Sequence, residues 1–175
     1  MTQQIAWGAK VTPQFLKEVK SICNRFNWTQ QQRSELMACM AFESGHTFNP
    51  AIKNMAGSGA TGLIQFMPST ARDLGTTTDD LAKMTAIEQL TYVEKYFKPY
   101  AKRIKTLSDM YMAILLPKYI GADDRVHLFT EGTVAYRQNS GLDTNNDGHV
   151  TKREASQKVN ATLLLGFEKG YVSTE

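Results

Sequence analysis

The sequence predicts a mainly α-helical single domain over residues 1–175, with a small glycine-rich lobe interrupting the helices. Apolar residues recur three and four apart in stretch after stretch, the spacing of one helix face. Threonines precede several of these stretches at capping positions, twice with Gln or Glu three residues later. A chain of 175 residues with 42% hydrophobic and 21% charged content is long and apolar enough for one well-buried core.

Thr12 before Pro13 is an N-cap with proline at the first helical position, and Phe15, Leu16, Val19, Ile22, Cys23 and Phe26 then share a face. Thr29 with Gln32 forms a capping box that opens a second helix, apolar from Leu36 to Phe42 and ended by Glu43, Ser44-Gly45 and Pro50. Trp28, just ahead of that cap, reads as a core or staple residue rather than a binding platform. Cys23 and Cys39 read as small buried hydrophobes, with a disulfide between them disfavoured by a reducing site of synthesis. Pro68 starts a third helix that ends near Gly75. Thr85 with Glu88 caps the next, which turns Ile87, Leu90, Val93, Tyr96 and Phe97 inward and runs up to Pro99. Core packing is the expectation for Tyr92, Tyr96 and Tyr100. A further buried helix spans 107–116, with Met110, Met112 and Ile114, and is stopped by Pro117. The closing segment 155–170 places Val159, Leu163, Leu164 and Phe167 at helical spacing over the core, and the eight methionines serve as adaptable core filler.

Glu43 is the chemical centre of the chain. Its carboxyl stands against apolar neighbours at the negative end of a helix dipole, and both effects disfavour the charged form and raise the pKa. A carboxylic acid still protonated near neutral pH can give its proton to a leaving oxygen. Taken alone, Glu43 also fits an ordinary solvated acid at a helix end. Its surroundings change that: Glu43-Ser44, then Phe48-Asn49-Pro50, then Gly59-Ala60-Thr61-Gly62-Leu63-Ile64-Gln65-Phe66-Met67-Pro68-Ser69-Thr70-Ala71. This stretch, residues 42–71, closely resembles the signature of the soluble lytic transglycosylase family, lysozyme-like enzymes that cut bacterial peptidoglycan.

The resemblance implies a lysozyme-like domain with a groove beside the glycine-rich lobe. It implies cleavage of the MurNAc–GlcNAc β-1,4 bond with Glu43 as acid and then base, giving 1,6-anhydro-MurNAc ends. It also implies substrate-binding roles for Ser44, Gly62, Gln65, Met67, Tyr136 and Asn139. Goose-type lysozymes, which are similar to this family, carry Asp two places after the Gln; here that place is Met67, and the next acid after Glu43 is Asp73. A two-carboxylate hydrolase therefore lacks its partner in this segment. The family's closing Ala-Tyr-Asn-x-Gly stretch is matched by Ala135-Tyr136-Arg137-Gln138-Asn139-Ser140-Gly141, with Arg137 where Asn is expected. The alternatives are a muramidase of the same fold and a non-catalytic peptidoglycan- or calcium-binding part of a phage particle.

Residues 143–154 follow the EF-hand pattern of a calcium loop. Asp143, Asn145 and Asp147 hold the first, third and fifth places, Gly148 the sixth, His149 the backbone-ligating seventh and Glu154 the bidentate twelfth. A structural Ca²⁺ is the expectation, with no cofactor needed for the chemistry. The same Asp, Asn and Gly are also plain turn formers.

Twenty Lys plus Arg against seventeen Asp plus Glu give a net charge of +3, a mild excess suited to an anionic envelope. No basic run with interleaved aromatics points to nucleic acid, and no zinc-like spacing links His46, His127 and His149. No apolar run reaches membrane-spanning length, so stable membrane insertion is not expected, and a monomer is. Residues 1–7 lack the features of a secretory signal. The expectation is synthesis in a host cytoplasm and action on the wall in the periplasm, reached through a holin or from a phage particle.

Overall fold

The computed structural model describes residues 2–175 and is mainly helical. In chain order the elements are β1 (Gln4–Ile5), α1 (Pro13–Arg25), α2 (Gln30–Glu43), α3 (Pro68–Asp73), α4 (Thr78–Lys83), α5 (Ala86–Phe97) and α6 (Leu107–Leu115). There follow β2 (His127–Thr130), α7 (Val134–Asn139), β3 (His149–Thr151), α8 (Lys152–Gly166) and β4 (Ser173–Thr174). Two short antiparallel pairs form, β1 with β4 and β2 with β3.

α2 is the axis of the molecule. Leu36 through Ala41 are all fully buried, as expected of a helix apolar on every side. It packs mainly on α8 and also on α6 and α1, while α1 packs on α5. Its start is fixed by the capping box: Gln32 N donates to Thr29 Oγ1 at 3.1 Å and Thr29 N to Gln32 Oε1 at 2.9 Å. Equivalent boxes open α5 and α8, from Thr85 with Glu88 and Thr151 with Glu154. Trp28 is buried and donates from Nε1 to Ala101 O at 3.1 Å, a core role. Both cysteines are buried and unpaired.

Some expectations need correction. Ile87 is exposed, and the inward place on α5 is taken by Gln89, which is fully buried. α8 begins at Lys152 and ends at Gly166, and Leu164 points to solvent while Val159 and Leu163 are buried. α4 was not foreseen; Thr77 caps it, with Asp79 and Asp80 in its first turn. Among the described residues no helix is long and apolar enough to cross a membrane.

A buried ion pair joins α6 to α8. Lys152 Nζ donates to Asp109 Oδ1 at 2.7 Å and to the carbonyls of Ala122 and Tyr119 at 2.8 and 3.1 Å. Asp109 also accepts from the amides of Gly121 and Lys105. Burial alone raises the Asp109 pKa, but these donors outweigh it and hold the carboxyl below its ordinary value. The segment around Tyr119 and Gly121 is thus pinned between these two helices.

Candidate active site

Glu43 is the last residue of α2 and is partly buried. Its pKa is raised from 4.5 to about 7, and burial is the sole cause. Among the described residues no carboxylate and no cation contributes to this shift. Cys39 lies one turn earlier, fully buried, its thiol pushed up by burial and then by Glu43 and Glu35. Two tyrosines also sense the Glu43 charge: Tyr111 on α6 and Tyr96 on α5, both raised chiefly by burial. The Phe42 ring packs edge-on against Tyr111, with centroids 5.7 Å apart, which draws α6 against the end of α2. Tyr96 spends its hydroxyl on the carbonyl of Ala113. The arrangement is one acid, about half protonated at neutral pH, whose charge reaches two tyrosines and a buried thiol.

The glycine-rich segment is built from bends and two isolated bridges, Lys53 with Thr61 and Thr61 with Phe66. Gln89 anchors it from α5. Its Oε1 accepts from Leu63 N at 2.7 Å, and its Nε2 donates to the carbonyls of Pro50 and Leu81 at 2.9 and 3.0 Å. Gly62 meets this amide directly: its φ is +87°, and a Cβ there would stand 2.3 Å from Gln89 Oε1. Glycine at this place is therefore required by both backbone and packing.

The transglycosylase SLT domain family matches residues 25–114, just over half of the chain. The chain belongs to that family. SLT domains are lytic transglycosylases that degrade peptidoglycan, and this protein is an enzyme of that type. No curated protein matches the chain.

Within the SLT domain the residues singled out from sequence fare differently. Ser44 is fully buried and its hydroxyl accepts from Phe48 N at 2.9 Å, so it shapes the turn after α2. Gln65 has φ +55° and donates from Nε2 to the carbonyls of Gly62 and Ile52, which ties it to Gly62. Met67 is 45% exposed at the N-cap of α3. Tyr136 and Asn139 lie beyond the matched segment. Tyr136 donates to Asp143 Oδ2 at 2.7 Å, and this bond pushes its pKa up to about 12. Asn139 donates to Ala135 O inside its own helix. Tyr111 and Gln89 were missed. Gln89 stands among several other polar residues of α5, and Tyr111 in a stretch that reads only as buried helix, so neither carried a distinct signal.

The 143–154 loop draws three carboxylates together: one oxygen each from Asp143, Asp147 and Glu154, all within 4.8 Å of one another. Tyr136, then backbone amides of the loop, hold Asp143 below its ordinary value. Burial raises Glu154, but bonds from Thr151 and Thr144 outweigh it and lower its pKa. No Lys or Arg among the described residues pairs with any of the three. Gly148 takes φ +84° at the sharp turn, and Asp147 accepts from His149 N at 2.9 Å. The His149 ring faces away from ligation, stacked on His127 with centroids 4.1 Å apart. Three like charges this close call for a counter-charge, and an all-oxygen set suits a hard cation.

Proposed function

We propose that this SLT domain cleaves the MurNAc–GlcNAc β-1,4 bond of peptidoglycan without consuming water, with Glu43 as the single catalytic residue. The protonated carboxyl gives its proton to the bridging oxygen, and the bond from that oxygen to MurNAc C1 breaks. The carboxylate left behind takes the proton of the MurNAc 6-hydroxyl as O6 attacks C1, closing the 1,6-anhydro ring and returning Glu43 to its acid form. The observation that carries this reading is a raised pKa owed to burial alone. A hydrolase of the two-carboxylate kind sets a second acid across the bond, where its charge acts on the first. In this reading Tyr111 stands beside the acid, with Gly62, Gln65 and Met67 on the glycine-rich side of the groove.

Mass spectrometry of digested cell wall tests the chemistry. Anhydro ends, one water lighter than hydrolysis products, are expected; reducing MurNAc ends would make the enzyme a muramidase. Glu43→Gln is expected to remove lytic activity. Full activity in that variant would exclude Glu43, and a wild-type protein that binds walls without cutting them would be a binding module.

The same reading gives residues 143–154 a structural Ca²⁺. Asp143, Asn145, Asp147 and Glu154 would hold it through side chains and His149 through its carbonyl. The ion would brace the segment between α7 and α8 and take no part in the chemistry.

A further inference from the structure

One short stretch of the chain is densely basic. Residues 91–105 hold Lys95, Lys98, Lys102, Arg103 and Lys105 against a single acid, Glu94, a net +4 where the entire chain carries +3. The remainder is therefore slightly acidic. Glu94 is already taken by Arg25, whose Nε and Nη2 reach it at 2.6 and 2.8 Å. All five cations of this stretch are exposed, and none forms an ion pair among the described residues.

Three of these lysines, Lys95, Lys98 and Lys102, rim a concavity of about 690 Å³ between the end of α1 and α5, whose floor includes Phe26 and Ala101. A second hollow of about 640 Å³ shares that floor and adds Lys105. The acid in it, Glu35, is 7% exposed and hydrogen-bonded by Gln31, and so presents little charge outward. Half-buried tyrosines sit under the cations: Lys95 Nζ is 4.9 Å from the Tyr92 ring centre and Arg103 6.0 Å from that of Tyr100.

We propose that this face docks the enzyme on an anionic phospholipid surface, the phosphates meeting Lys95, Lys98 and Lys102 and the apolar floor receiving the start of an acyl chain. Unpaired cations over tyrosines, above an apolar hollow, match the layering of a bilayer interface, where Lys and Tyr both settle with polar tips outward. A soluble polyanion asks only for the charge. The docking is separate from the acid at Glu43.

Co-sedimentation with vesicles of phosphatidylglycerol and phosphatidylcholine, against phosphatidylcholine alone, tests it. Binding to the anionic vesicles alone is expected, falling away by about 0.5 M salt. The triple variant Lys95→Gln, Lys98→Gln, Lys102→Gln is expected to bind on the order of a hundredfold more weakly. A charge-matched control, Arg153→Gln, Lys158→Gln, Lys169→Gln, keeps its binding. Glu43→Gln also keeps it, which separates this proposal from the catalytic one. Equal loss in both triple variants would reduce the effect to net charge and overturn the site. Release by inorganic phosphate at low salt would replace the surface with a soluble phosphate. Retention on heparin without vesicle binding would replace it with a polymer.

Discussion

Replacing Glu43 with glutamine should make the protein more stable above neutral pH while removing its activity. In the folded chain the carboxyl titrates near 7 instead of 4.5. Between those values the native state holds a proton that the unfolded state has lost, so stability is complete below about pH 4.5 and declines as pH rises through 7. At 1.36 kcal/mol for each tenfold in proton affinity, the wild type gives up about 3 kcal/mol by pH 8 or 9. Glutamine keeps the shape and carries no charge, so the variant escapes this loss. Urea denaturation at pH 4 and pH 8.5 reads it: near-equal stabilities are expected at the lower pH and a variant favoured by about 3 kcal/mol at the higher. For a chain of this size that is about 6 to 12 °C in Tm. The lytic rate of the wild type should follow the same ionisation, level below pH 7 and falling above it. A stability difference that does not change with pH would refute the argument, because burial of the charged form would then not be what raises the pKa.

Lys152→Met leaves the Asp109 carboxylate buried and unpaired, and should cost about 3–5 kcal/mol in denaturant titration, with the added change Asp109→Asn restoring part of it. Gln89→Leu orphans the Leu63 amide and the Pro50 carbonyl, at about 1–3 kcal/mol per group, while the Leu81 carbonyl keeps its bond from Met84 N. Gly62→Ala collides with the same amide, so a double-mutant cycle of these two should be clearly non-additive in Tm and in lytic rate. Chelator-treated protein should take up one Ca²⁺ per chain in calorimetry and gain Tm on doing so, and Asp143→Asn with Glu154→Gln should abolish both; no uptake would leave the loop a turn without an ion.

The helices were legible because their signals are local. Thr12, Thr29 and Thr85 cap what they were expected to cap, and α6 stops short of Pro117. α4 escaped because a six-residue helix is too short to show an apolar period, although Thr77 and two following aspartates marked its start. Leu164 and Ile87 were assigned inward by spacing, yet spacing fixes only which residues share a face. The width of that face depends on what packs against it, and on α5 the slot beside Leu90 went to Gln89, whose three bonds outweigh an apolar contact.

The site divides along the same line. The raised pKa of Glu43 needs only apolar matter around the carboxyl, and the run from Leu36 to Phe42 supplies much of that whatever the rest of the fold does. A hydroxyl beside the acid is a different demand, because a tyrosine reaches it only through the path of the chain. Tyr136 shows how a local bond can claim such a group: an aspartate seven residues on gives its hydroxyl a charged acceptor. Tyr111 stands in a stretch that reads only as buried helix. It comes near enough to sense the Glu43 charge because α6 packs against α2, and Lys152 clamps Asp109, two residues before it, to the start of α8. The placement of this helix therefore rests in part on an ion pair formed with the residue that directly follows β3, and no feature near Tyr111 in the sequence announces it.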